Sequence, residues 1–96
     1  MKEAIFDRIV STVCDEMDLT KDEIFSKSHR QIVVDARHII MYMLKAKGFY
    51  CENIATLFSA NKRYTYMIIS NFENRLKQSR EIQFIYAQVK RKVDGN

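Results

Sequence analysis

Ninety-six residues are enough to bury one core but too few for two, and the longest apolar run, Ile39 to Leu44, is far too short to cross a membrane. Hydrophobic residues make up 47% and charged residues 29%, as in an ordinary water-soluble chain. The net charge of +4 is unevenly spread: residues 1–25 hold seven acidic and three basic side chains, residues 26–96 thirteen basic and five acidic.

There is no proline, and of the two glycines one stands at position 95, so little interrupts helices except the segment around Gly48. Ile5, Phe6, Ile9, Val10, Val13 and Met17 recur at helical spacing, with Lys2, Glu3, Asp7 and Arg8 on the other side. This is an amphipathic first helix, which Leu19 ends. Thr20 followed by Glu23 is a capping box for a short helical piece, Lys21 to Phe25. Ser26 to Arg30 reads as a polar loop or a helix start. A long central helix runs from Ile32 to Lys47 with Val33, Ala36, Ile40, Met43 and Leu44 facing inward, and Gly48 closes it. Cys51 to Phe58 forms about two turns that bury Ile54, Ala55, Leu57 and Phe58, and Ser59 to Asn61 turn the chain. The next helix starts near Lys62 and buries Ile69, Phe72 and Leu76. After a break near Ser79, a last helix from about Arg80 to Val93 presents Ile82, Ile85 and Val89, with Phe84 and Tyr86 beside them. The fold class is therefore all-α: one compact multi-helix domain over 1–96, with a helix-turn-helix at about 51–78.

Several chemistries find no support in these residues. Cys14 and Cys51 have no CxxC spacing and read as reduced thiols, and nothing that opens the chain resembles a signal peptide, so a cytoplasmic location is expected. His29 and His38 lack a set of metal partners, and no metal or cofactor is expected. Asp35 and His38 are better read as helix-surface neighbours than as an acid–base pair. No catalytic residue, small-molecule substrate or GxxxxGK[ST] phosphate loop is read from the sequence.

Three stretches stand together in one order. Ser26, Lys27, Ser28, His29 and Arg30 lead into Ile32, Val33, Ala36, Arg37, Ile39, Met41 and Tyr42. Ile54, Ala55, Leu57 and Phe58 follow, and then Phe72, Glu73, Asn74 and Leu76. From Ile5 to about Val93 the chain thereby resembles the C-terminal, TrpR-like helix-turn-helix domain of the bacterial replication initiator DnaA. The first stretch matches that family's Ser-Lys-Ser-Arg-Lys-Arg and Ile-Val-x-Ala-Arg-x-Ile-x-Met-Tyr-Leu.

The resemblance implies two reading devices. A basic loop reaches phosphates and the minor groove, and the start of the last helix-turn-helix element contacts base edges in the major groove. For the first device, Lys27, His29 and Arg30 occupy the loop, with Arg37 and Lys45 further along the helix. For the second, the family's Asp-His-Ser/Thr-Thr is replaced by Asn61, Lys62, Arg63 and Tyr64, followed by Thr65. The replacement exchanges an acceptor and a methyl group for cationic donors, which suit guanine or phosphate. The expectation is a module that binds double-stranded DNA with altered or lost base-reading residues, in replication or transcription regulation. The alternative is a protein-interaction domain or homodimer using the acidic first helix or an apolar Ile68, Ile69 and Phe72 surface.

Overall fold

The computed structural model describes residues 2–95, with side chains from Glu3 onward. Met1 and Asn96 of the expected 1–96 unit, and the side chain of Lys2, lie outside the described residues. The fold is all-helical, as the sequence predicts: α1 (Lys2–Met17), α2 (Lys21–Ile24), α3 (Gln31–Ala46), α4 (Cys51–Leu57), α5 (Lys62–Gln78) and α6 (Arg80–Val93).

Helix α3 is the axis. Its apolar residues cover more than one face, so Val33, Ala36, Ile39, Ile40, Met41, Met43 and Leu44 are all buried. Helix α1 lays Ile9, Val10, Val13 and Met17 into the same core, and α5 and α6 add Phe72, Ile82 and Val89. Tyr42, Phe72 and Tyr86 pack as an aromatic triangle with ring centroids 5.0 to 6.2 Å apart, joining α3, α5 and α6.

Local chemistry sets the boundaries. The capping box at α2 is complete: Thr20 N–H donates to Glu23 Oε1 at 2.9 Å, and Glu23 N–H donates to Thr20 Oγ1 at 3.2 Å. The bond from the Thr20 backbone N–H, and after it one from the Thr20 hydroxyl to the same Oε1 at 3.2 Å, hold the Glu23 carboxyl below its ordinary range. Gly48 takes φ 97° after α3, where a side chain would be strained, and Phe49 N–H returns to Leu44 O at 3.1 Å. Ser79 alone separates α5 from α6. It is extended (φ −116°, ψ 115°), and its hydroxyl accepts from Ile82 N–H at 3.2 Å, so one residue both ends a helix and caps the next. At the far end Arg8 of α1 donates to Val93 O at 3.0 Å and to Lys92 O at 2.9 Å, adding side-chain donors to carbonyls at the end of α6.

Three burial expectations are corrected. Leu57 is 38% exposed, because Ile54 and Ala55 fill the inward side of the two-turn α4 and leave Leu57 beside a surface groove. Phe84 is 64% exposed: it stands two residues beyond buried Ile82, hence on the opposite side of α6. Ile68, Ile69 and Phe72 form no surface, since α5 buries all three where it packs on α3 and α4.

Candidate nucleic-acid interface

The basic loop between α2 and α3 is held by its own hydroxyls and by one arginine. Ser26 Oγ donates to Glu23 O at 2.7 Å and accepts from Ser28 N–H, whose own hydroxyl accepts from Arg30 N–H. Arg37, almost two turns into α3, donates Nε to Ile24 O at 2.7 Å, Nη1 to Ser28 O at 2.8 Å and Nη2 to Ser26 O at 2.5 Å. Three carbonyls are thus turned towards one guanidinium, whose planar fork can serve them together. The Arg37 guanidinium braces the loop from the α3 side. Lys27 and His29 point to solvent with no hydrogen bond among the described residues, whereas Arg30 Nη1 pairs with Glu23 Oε2 at 3.2 Å. Lys45 is exposed on the last turn of α3 and carries no ion pair among the described residues.

The second part is the α4–turn–α5 unit. Ser59 makes the turn in a left-handed conformation (φ 52°), with Ala60 N–H bonded to Ala55 O at 2.8 Å. Asn61 then caps α5: its Oδ1 accepts from Arg63 N–H at 2.7 Å and from Tyr64 N–H at 3.1 Å. The acceptor oxygen of Asn61 is therefore engaged by the helix start. Arg63 and Tyr64 are exposed and make no side-chain hydrogen bond among the described residues. Lys62 Nζ lies 3.9 Å from Glu52 Oε2, with both side chains about two-thirds exposed (69% and 67%), a contact that water and salt weaken easily.

Thr65 is a correction. It is 0% exposed, and its Oγ1 donates to Asn61 O at 2.9 Å, so it faces the core and cannot touch a base. The outward residues of this helix start are Lys62, Arg63, Tyr64, Tyr66 and Met67, followed by Ser70 and Asn74. Met67, Ser70 and Asn74 were missed by sequence reasoning, although their spacing from Arg63 is helical and would have placed them on its stripe.

The loop and the helix start meet. His29 of the loop, Arg37 of α3 and Tyr64 of α5 line one cleft of about 200 Å3, floored by Met41, Phe58 and Ile68. His38 lines it too. Its Nδ1 faces Arg75 Nη1 at 3.4 Å, and Arg75 Nη2 donates to Asp35 Oδ1 at 2.7 Å, so Asp35 and His38 are joined through an α5 arginine rather than to each other. Burial, and then the Arg75 charge, hold the His38 pKa below its ordinary value. Lys62, Arg63, Asn61 and Tyr66 border a second, open concavity with Cys51. Burial raises the pKa of Cys14, which leaves that thiol protonated. Among the described residues no three of His, Cys, Asp or Glu stand together as a metal cage, and no helix is long and apolar enough to cross a membrane.

Compared with protein families, the chain matches the bacterial DnaA protein helix-turn-helix over residues 6–69. No curated protein matches it. The matched span runs from α1 through the loop and the turn into α5, and so contains both halves of the cleft.

Proposed function

The chain belongs to the bacterial DnaA helix-turn-helix family, a family of DNA-binding rather than catalytic domains, and on that premise we propose a DNA-binding module with changed base reading. The start of α5 enters the major groove with Lys62, Arg63, Tyr64 and Tyr66 foremost. Lys27, His29 and Arg30 reach the flanking backbone or minor groove, Lys45 contacts phosphate, and Arg37 holds the loop in shape. Double-stranded DNA is the partner, and regulation of replication or transcription is the setting.

One observation carries this reading: His29 and Tyr64, from segments far apart in sequence, line the same cleft, with exposed cations on either side of it. A second supports it. Arg63 and the lightly paired Lys62 stand at the amino end of α5, where cations oppose the helix dipole unless an anion compensates them. With Lys62 and Arg63 where the family carries His and Ser or Thr, and no Asp or Thr beside them in the motif, guanine-rich or sequence-tolerant binding replaces the family preference.

The test is equilibrium binding of a labelled duplex across a salt series. Engagement of four to six cations gives a log–log slope of about −4 to −5, and Lys27→Ala or Lys62→Ala each lowers it by about one. Negligible affinity at low salt would refute the proposal.

A further inference from the structure

Away from the loop and the start of α5, helices α1 and α4 enclose a groove of about 640 Å3. Phe6, Phe49 and Leu57 form its walls, and the carboxylates of Glu3 and Asp7 stand on its rim. It shares no lining residue with the cleft that holds His29 and Tyr64. Glu3 and Asp7 are exposed and make no ion pair among the described residues. An apolar trough with an acidic rim that no described residue compensates suits a helix that offers an aromatic anchor between cations.

The chain itself carries such a helix. Arg80, Phe84, Ala87 and Arg91 of α6 are all exposed and recur at helical spacing, forming one outward stripe. Among the described residues Arg80 has no acidic partner and Arg91 engages only the Gln88 amide oxygen. Ala87 is small enough to let a neighbouring wall approach. None of the four lines the groove of its own molecule. Arg8 and Lys92 tie α6 to α1 through Val93 O and Glu16, so stripe and groove are held in fixed relation.

We infer that a second copy of this chain seats its α6 stripe in the α1–α4 groove. Phe84 of one copy enters between Phe6, Phe49 and Leu57 of the next, and an α6 arginine faces Glu3 and Asp7. The two surfaces differ, so the contact is head-to-tail, and each copy offers a stripe to one neighbour and a groove to another. It uses no residue of the loop or of α5, and successive copies can therefore lie along one duplex.

Sedimentation of the full chain without DNA, from about 10 μM to about 1 mM at low salt, spans the range of a weak contact. The expected result is an average mass that rises with concentration and falls when salt is added. Phe84→Asp and Leu57→Arg, both at exposed positions, are each expected to weaken association about tenfold or more. Thermal melting of each shows whether the fold is kept, and Phe84→Ser and Asp7→Asn replace them if it is not. Mixing the two variants is decisive, because one retains its groove and the other its stripe: a one-to-one dimer forms and nothing larger. A wild type that stays monomeric throughout, variants that associate like wild type, or a mixture that stays monomeric would overturn the inference. DNA takes no part in this measurement, so such a result leaves the DNA-binding proposal standing.

Discussion

The loop before α3 and the start of α5 are both basic and border one cleft, yet they treat their cations differently. In the loop, Arg37 gives three of its donors to backbone carbonyls and Arg30 is paired with Glu23. At the start of α5, Arg63 has no partner among the described residues and Lys62 has only a distant one. A guanidinium already satisfied by its own chain is architecture, whereas one held in water against a helix dipole gains most when a polyanion arrives. On the proposed reading, the loop is a fixed rest for the duplex, and the start of α5 is the part that responds to it.

The sharpest way to break this comparison is Arg37→Ala. Removing a cation that serves three carbonyls is expected to cost about 3 kcal/mol of stability, read by urea denaturation, with a loss of DNA affinity that does not depend on sequence. Arg37→Lys should recover only part of it, since one ammonium cannot serve three carbonyls in a plane. A change below about 0.5 kcal/mol would mean that the loop does not depend on Arg37.

Thr65→Val comes next. The residue is buried and bonded to Asn61 O, so the substitution should cost about 1 kcal/mol of stability and leave DNA affinity unchanged. A selective loss of binding would return Thr65 to the interface. At Ser59, where a left-handed residue makes the turn, Ser59→Gly should stabilise the fold by about 0.5 to 1 kcal/mol with binding unaltered.

The smallest expected effect is a slope with pH. Burial and Arg75, together with Arg37 and against Asp35, keep the His38 pKa in the folded state below its ordinary value near 6.5. Below that pH the unfolded chain takes up the proton first. Stability should therefore be level above about pH 7 and decline as pH falls through 6.5 towards the folded-state value. His38→Gln should flatten that decline in thermal melts taken across pH, and an unchanged profile would remove His38 as its source.

Much of the fold was legible because local chemistry and burial agreed. Thr20 with Glu23 marked a cap, Gly48 a helix end, and the apolar positions of α3 a core. The DnaA-like loop and central helix were legible in the same way, and the family match bears out that resemblance. Legibility failed where polarity ran against burial. Around Arg63-Tyr64-Thr65-Tyr66-Met67 the polar Thr65 points inward while Tyr64, Tyr66 and Met67 point out, so a reading by hydropathy assigns the wrong faces. Phe84 and Leu57 misled for the same reason. The inward turn of Arg37 left no local signal, because its carbonyl partners sit at the end of α2 and on the loop after it, nine to thirteen residues away.

The most direct test sets Arg63→Ala beside Arg80→Ala in duplex binding at one low salt concentration. Both remove one exposed arginine near a helix start, but only Arg63 lies on the proposed groove face. Arg63→Ala is expected to weaken binding by about 1 to 3 kcal/mol, and Arg80→Ala by a few tenths at most, with both variants melting like wild type. Equal losses would show that total charge alone attracts DNA, and that the start of α5 has no special place in it.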